Sequence, residues 1–335
     1  MVHRAVAAGL LAAGRDVIDI GLATTPTTQI AVEHLQAGGG DHSHRQSQSR
    51  RQWNALKFLS ARGEFIDADA GRAVRGAVRG RTATVAPFDR LGVERAEESG
   101  ADDWHLEQVL EPRSSSTCRR SAARAAHGSR STAARASAGS TAPRLLRDLG
   151  ADRGRARLRS ERRASRASSS RCPSISAQLG RAVRRERAPI SVWRSIPTPI
   201  ARRSWIARAC RSARSTPWRS ATSVVLARRP GPVVTNLSTS RMIGRGLRAR
   251  WSACSIARLV GEAHVVAEMR RAASGGGGEG NGGMILPAAH YGRDGLVAIA
   301  LIAQAIAEVR DVVARVWPIG CRALVMHKQK TGAAR

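Results

Sequence analysis

Lysine is almost missing from this 335-residue chain. It occurs at positions 57, 328 and 330, and every other one of the 56 basic residues is arginine. Aromatic residues are also scarce, at 3%, with a single tyrosine and three phenylalanines. Selection for positive charge normally draws on both basic side chains, and ordinary cytosolic enzymes do not have this profile. Arginine, alanine, serine, glycine and proline with almost no lysine or tyrosine is what GC-rich DNA encodes in any reading frame. Long apolar runs are lacking too: the longest, Leu296 to Ala307, is interrupted by Gln304, whereas a membrane span needs roughly 20 apolar residues. The start, Met1-Val2-His3-Arg4 and an Ala/Leu run, has the outline of a short signal peptide. It continues into Asp16-Val17-Ile18-Asp19-Ile20, which favours a helix–strand unit. The five cysteines (Cys118, Cys172, Cys210, Cys254 and Cys321) are scattered and form no C-x-x-C pair. Neither a disulfide framework nor a cysteine zinc site is supported.

What is present is a net charge of +31, unevenly spread. From Arg113 to Pro217 there are 26 arginines and four acids, Asp148, Asp152, Glu161 and Glu186. The stretch is rich in Ser and Ala, and most of it has no hydrophobic periodicity. Taken literally, it is expected to be disordered or loosely collapsed.

The flanks read differently. Val2, Val6, Leu10 and Leu11 have helical spacing, and Gly14 is a stop. Val17 to Leu22 reads as a strand, Thr24-Thr25-Pro26-Thr27 as a turn and cap, and Thr28 to Ala37 as a second helix. Further on, Pro232 to Leu237 reads as a strand with Ser238-Thr239-Ser240 capping the next segment, and Glu262 to Arg270 reads as a helix. Gly275 to Gly283 is a glycine-rich loop, Met284 to Pro287 a short strand, and Asp294 caps a long helix through Ile302, Ile306 and Val309. This is an α/β rhythm on both sides of a basic stretch.

The motifs in these flanks resemble the α-D-phosphohexomutase family. Residues 1–38 resemble the part of its first domain that leads, through Thr24-Thr25-Pro26-Thr27, to the catalytic serine loop. Asn54-Ala55-Leu56-Lys57 is similar to the N-G-x-K that comes after that loop, with Ala55 in place of glycine. Val233 to Met242 resembles the start of the third domain, and Gly261-Glu262-Ala263-His264-Val265 its V-G-[DE]-x-x-V segment. Gly278-Glu279-Gly280-Asn281-Gly282-Gly283 resembles its sugar-binding loop, and Gly292-Arg293-Asp294-Gly295 the helix start beyond. The resemblance covers roughly residues 1–111 and 217–326.

It implies four α/β domains around a cleft, the first three being three-layer α/β/α sandwiches. In this chain the expectation is a partial domain 1 (1–111), a degraded domain 2 (112–216), a mostly intact domain 3 (217–326), a tail (327–335) and no domain 4. The implied chemistry is a phosphoryl shuttle. A phosphoserine phosphorylates the sugar phosphate, the bisphosphate turns over, and the other phosphoryl group returns to the serine. Mg2+ held by a D-x-D-x-D loop neutralises the developing charge. By resemblance Lys57 is the basic residue beside the reacting oxygen, and Gly261, Glu262, Gly278, Glu279, Asn281 and Gly282 bind substrate. A carboxylate and an amide, as at Glu279 and Asn281, suit bidentate contacts with a sugar diol. The implied reaction is glucosamine 6-phosphate to glucosamine 1-phosphate in the cytoplasm, with phosphomannomutase or phosphoglucomutase as the alternative.

The resemblance breaks where the catalytic loops belong. In place of T-A-S-H-N-P the chain has Asp41-His42-Ser43-His44-Arg45-Gln46-Ser47-Gln48-Ser49. Read one base forward with permitted codons, the same DNA can spell I-T-A-T-A-S-H-N-P-A-A. The segment Pro189 to Ala201, read two bases forward, can spell D-I-G-L-A-V-D-P-D-A-D-R, like the family's metal loop. Two such matches, each at the expected place, point to a phosphohexomutase gene read through frameshifts. Islands such as Leu145 to Asp152 and Gln178 to Ala188 are expected to survive in frame. The opening G-T-x-G-x-R-G strand and the S-G-T-E-P phosphate loop are missing from the sequence, so the chain is expected to start late, stop early and be inactive as written.

Other readings are weaker. Ser43, Ser47 and Ser49 lie near the carrier position in the wrong context. His42 and His44 have i, i+2 spacing without a third ligand. Asp294 reads as a helix cap. The arginine-rich middle is of a kind that neutralises nucleic-acid phosphates, so a basic nucleic-acid-binding protein is the alternative of another class, although no recognisable binding motif accompanies it.

Overall fold

The computed structural model describes residues 2–45, 54–80, 84–96, 100–111, 129–133, 138–149, 191–195, 201–206, 210–211, 216–239, 255–280 and 283–308. Ser47, Ser49, Asn281, Gly282, the 178–188 island and most of the basic stretch, with its expected nucleic-acid contacts, lie outside the described residues.

The N-terminal unit runs α1 (Val2–Ala12), β1 (Val17–Asp19), α2 (Thr25–His34), β2 (Gly39–Arg45), β3 (Asn54–Ser60), α3 (Ala68–Gly80), β4 (Glu94–Ala96) and α4 (Gly100–Leu110). Helix α2 begins three residues earlier than its sequence pattern suggests. Thr24 is its N-cap, its hydroxyl accepting from the Thr27 amide at 3.1 Å. Pro26 falls in the first turn, where its missing N–H has no helical partner to lose. Strand β1 pairs in parallel with β4. Strands β2 and β3 form an antiparallel ladder that sets His42 opposite Lys57.

The middle was expected to hold little regular structure. Its described parts form β5 (Ser129–Ala133), α5 (Ala138–Asp148), β6 (Ser191–Ser195), β7 (Ala201–Ile206) and β8 (Cys210–Arg211). The strands make one sheet in the order β5-β6-β7-β8, parallel between β5 and β6 and antiparallel beyond. On α5 and just past it, Ala142, Leu145, Leu146 and Leu149 are buried, spaced i, i+3, i+4, i+7. That short apolar stripe is real but is diluted on both sides by arginine and serine.

The C-terminal unit comprises α6 (Thr216–Arg228), β9 (Val233–Asn236), β10 (Ser255–Arg258), α7 (Glu262–Arg271), β11 (Gly276–Gly278), β12 (Met284–Leu286), β13 (His290–Asp294) and α8 (Gly295–Glu308). Its sheet has the order β10-β9-β11-β12-β13, with β10, β9 and β11 parallel and β12 and β13 antiparallel. Side chains alternate across it. Val233, Met284 and Leu286 face a core shared with α4, α5, α6 and α8. Val234 and Ile285 face Val265, Val266 and Met269 of α7. Helices thus cover both faces, a three-layer α/β/α arrangement.

The glycine-rich segment expected as a loop opens instead as the buried strand β11. The reason is close packing: a Cβ on Gly277 would lie 2.3 Å from the Met269 sulfur and 2.9 Å from the Val234 carbonyl oxygen. Glycine is what lets α7 approach the sheet, so loop-like composition here marks a backbone contact.

The two flanking units share that core through Leu106 and Val109 of α4 and also meet through polar contacts. The Gln108 side chain donates to the Ala289 carbonyl at 2.6 Å. Arg270 pairs with Glu64 and lies 3.9 Å above the Tyr291 ring.

Candidate functional site

Strand ends and one glycine place the polar cluster. Gly261 precedes α7 with φ +136°, a conformation disfavoured for other residues, and turns the chain so that Glu262 opens the helix. Glu279 comes directly after β11, Asn236 ends β9, and Arg293 lies on β13. Arg293 ties them together. Its Nε donates to Glu262 Oε2 at 2.6 Å, its backbone amide donates to Glu262 Oε1 at 3.2 Å, and its guanidinium also pairs with Glu279. Glu262 and Glu279 are 7% and 5% exposed, so both carboxylates depend on these partners. Burial alone would lower the Arg293 pKa. Glu262 and Glu279 outweigh it and hold the guanidinium above its ordinary value.

Asn236 is the second anchor. Its Nδ2 donates to Glu279 Oε1 at 2.5 Å. Its Oδ1 accepts from the Ser238 amide, the Ser238 hydroxyl and the Thr239 hydroxyl at 3.1, 2.8 and 3.0 Å. From the other unit, Gln29 on α2 donates to Glu262 Oε1 at 3.4 Å. The Glu279 amide meets the Gly283 carbonyl at 3.4 Å, closing the base of the loop that contains Asn281 and Gly282.

Lys57, from β3, lies within the electrostatic reach of this cluster. Burial pushes its ammonium pKa down from the ordinary 10.5, Glu262 partly restores it, and Arg293 lowers it again. Its Nζ is 5.5 Å from the centre of the Phe65 ring. An amine-acylating reagent is therefore expected to label Lys57 with a pH midpoint below 10.5. Peptide mapping by mass spectrometry separates it from Lys328 and Lys330, and a midpoint at or above 10.5 contradicts the burial argument.

Of the sequence candidates, Lys57, Gly261, Glu262, Gly278 and Glu279 are thus gathered at one junction of the two units. Ser43 is an exposed residue of β2, and His42 contacts the Thr28 hydroxyl through Nδ1 at 3.0 Å. Asp294 is more than a cap. Its Oδ1 does accept from the Leu296 amide at 2.7 Å. Its Oδ2 also meets His105 Nε2 at 2.8 Å and His290 Nε2 at 3.4 Å. His105 Nδ1 in turn meets the Thr27 hydroxyl at 2.9 Å, and Thr27 the Thr24 hydroxyl at 2.6 Å. Burial would raise the Asp294 carboxyl; the two imidazoles outweigh it and hold the carboxyl far below its ordinary value. Sequence reasoning missed His105, His290, Arg293, Asn236 and Gln29 as cluster members. Only Arg293 carried a signal, through its place in Gly292-Arg293-Asp294-Gly295. A separate cavity of about 600 Å³ is lined by Ile30, Glu33, His34 and Trp104 among others, and none of Lys57, Glu262, Glu279 or Arg293 lines it.

The family models that match are those of phosphoglucomutase/phosphomannomutase alpha/beta/alpha domain I, over residues 1–84, and domain III, over residues 221–317. Together they take in more than half of the chain.

The chain belongs to the phosphoglucomutase/phosphomannomutase family.

Solved structures agree at the level of fold. A protein from Thermus thermophilus described as a phosphomannomutase superposes with a TM-score of 0.72 at 18% identity, covering 92% of this chain and 69% of that one. A phosphoglucomutase/phosphomannomutase family protein from Burkholderia thailandensis gives 0.71 at 17% identity, covering 97% and 69%. The Paramecium phosphoglucomutase parafusin, in its open form, gives 0.65 at 12% identity, covering 92% and 63%. No curated protein sequence matches the chain. Among the described residues, no helix is long and apolar enough to cross a membrane.

Family membership suggests dependence on Mg2+, which requires hard oxygen donors. The residues present do not fit that ion. The 189–201 segment, where the family's metal loop is expected, contains no carboxylate. Among the described residues the two clusters with metal-ligand spacing, His105/His290/Asp294 and His3/Asp19/Glu94, both include imidazole.

Proposed function

We propose that this phosphoglucomutase/phosphomannomutase chain binds a hexose phosphate at the junction of its two flanking units and does not carry out phosphoryl transfer as written. The observation that carries this reading is the orientation of Glu279. Its carboxylate is held by Asn236 on one oxygen and by Arg293 on the other, at the base of the glycine loop. A carboxylate held in one rotamer costs little further entropy when it accepts from a sugar diol. In this reading Glu279 and Asn281 grip the hydroxyls, while Gly278 and Gly282 allow the backbone to come close. Gly261 and Glu262 set the position of Arg293, and Lys57 supplies positive charge beside the reacting oxygen.

In this reading transfer lacks a donor, because the serine motif is absent from the sequence. A phosphorylated serine must break its P–O bond as the sugar oxygen forms one. The only described serine of the expected loop region, Ser43, sits in β2 rather than in an exposed loop. The missing serine and metal loops would each have to supply several kcal/mol, with about tenfold in rate for each 1.36 kcal/mol. The substrate we favour is glucosamine 6-phosphate, with mannose and glucose phosphates as alternatives, and the origin we favour is a frameshifted phosphohexomutase gene.

Titration calorimetry with the 6-phosphates of glucosamine, mannose and glucose tests the binding, and phosphorus NMR of the same samples tests for 1-phosphate product. Binding without product is expected, with glucosamine 6-phosphate the tightest. Turnover overturns the inactivity, and failure of all three sugars to bind overturns the cleft. Resequencing codons 38–54 and 110–217 tests the origin, and an undamaged locus encoding this frame alone would sink it.

A further inference from the structure

The group formed by His105, His290 and Asp294 is not used by the hexose-phosphate reading, and its geometry is that of a ligand set. His105 comes from α4, and His290 and Asp294 stand at the two ends of β13. All three are buried, Asp294 and His105 completely. Their ligand atoms lie within 4.8 Å of one another. The two Nε2···Oδ2 separations are 2.8 and 3.4 Å. In a tetrahedral site with Zn–N and Zn–O bonds near 2.0–2.1 Å, neighbouring donors stand about 3.3 Å apart. The observed separations bracket that edge.

The atoms pointing away from the centre are held as well. His105 Nδ1 meets the Thr27 hydroxyl at 2.9 Å, and Asp294 Oδ1 accepts from the Leu296 amide at 2.7 Å. Partners of this kind fix the tautomer and rotamer of metal-ligating side chains. The third donor shows a further sign. Among the described residues, His290 Nδ1 is buried with no hydrogen-bond partner, as is the nearby Gln29 Oε1. Both atoms face Gly292, where a Cβ would come within 2.7 Å of one and 2.3 Å of the other. A cation on Nε2 places the remaining imidazole proton on Nδ1, on the side of the Gln29 carbonyl oxygen.

We propose that His105, His290 and Asp294 form a binding site for a zinc-class divalent cation that straps α4 to the β13–α8 corner. Two imidazoles and one carboxylate suit zinc, nickel or cobalt and not magnesium, so the site differs in class from the oxygen-ligated ion expected of the family. Binding uses both Nε2 lone pairs. Any proton on either Nε2 or between it and Oδ2 is released to solvent as the metal enters. One water completes the coordination.

The test uses the full chain, stripped with EDTA and then given zinc alone or cobalt alone. About one zinc per chain is expected to survive desalting. The cobalt form is expected to show the strong visible bands of a four-coordinate ion without a thiolate charge-transfer band. His290→Gln and Asp294→Asn are each expected to lower zinc affinity more than about 100-fold, and Thr27→Val, which removes only an outer partner, about 10- to 100-fold. His3→Ala is expected to change nothing, since it disables only the exposed His3/Asp19/Glu94 group. Zinc lost on desalting, a thiolate band, or loss of binding in His3→Ala each overturns the site. If the buried variants fail to fold, the cobalt spectrum of the unaltered chain decides the matter alone.

Discussion

Replacing Arg293 with alanine is expected to lower the unfolding free energy by about 3–5 kcal/mol, read as a drop in the urea midpoint at unchanged slope. The size reflects the charges left behind. Glu262 and Glu279 are both nearly excluded from solvent, and Arg293 is the guanidinium that contacts both. Without it, two buried carboxylates lose their shared guanidinium and must either take up protons or draw in water. Arg293→Lys is expected to recover only part of the loss, because one ammonium cannot reproduce the Nε and terminal-nitrogen contacts together. The same alanine change made over Glu262→Gln and Glu279→Gln is expected to cost much less, since no buried charge then lacks a partner. A loss below about 1 kcal/mol in the single variant would mean that the carboxylates are solvated and that Glu279 is not preorganised. That outcome would also remove the main support for hexose-phosphate binding.

Leu145→Ala is expected to cost about 2–5 kcal/mol, although it lies inside the most basic part of the chain. Leu145 is fully buried and packs in the core that joins α4, α5, α6, β12 and α8. Truncation removes a large apolar side chain and leaves a cavity between helices. Arg147→Ala, two residues away and exposed, is expected to change stability by no more than about 0.5 kcal/mol. The contrast between the pair is the informative reading. A Leu145→Ala variant as stable as the parent would mean that α5 contributes nothing to the core. A large loss would establish that at least this island of the arginine-rich stretch is part of the folded molecule.

The uneven legibility of the chain has physical causes. Helices α1, α2, α7 and α8 were readable because their apolar positions recur at helical spacing and their ends carry stop or cap residues such as Gly14, Thr24 and Asp294. The family was readable because the glycine loop and Gly292-Arg293-Asp294-Gly295 keep their order and spacing. Strand β11 was not readable as a strand, since three glycines carry no β propensity and gain their place only from the packing of Met269 above Gly277. Helix α5 was hidden because its four apolar positions stand among arginines and serines. Glu279 stood out in the sequence by resemblance, but the residues that orient its carboxylate did not.

The sequence by itself determined the family, the order of its α/β units, the glycine-rich segment with Glu279, and the absence of the serine and metal motifs. These depend on composition and local spacing, which need no third dimension. The tertiary structure alone decided that Arg293 bridges Glu262 and Glu279, that Gln29 reaches Glu262 across the junction, and that Asp294 stands between two imidazoles. His105 and Asp294 are 189 positions apart and touch at 2.8 Å. Pairings over such separations are set by how helices dock on the two faces of a sheet, and no local pattern in the chain encodes them.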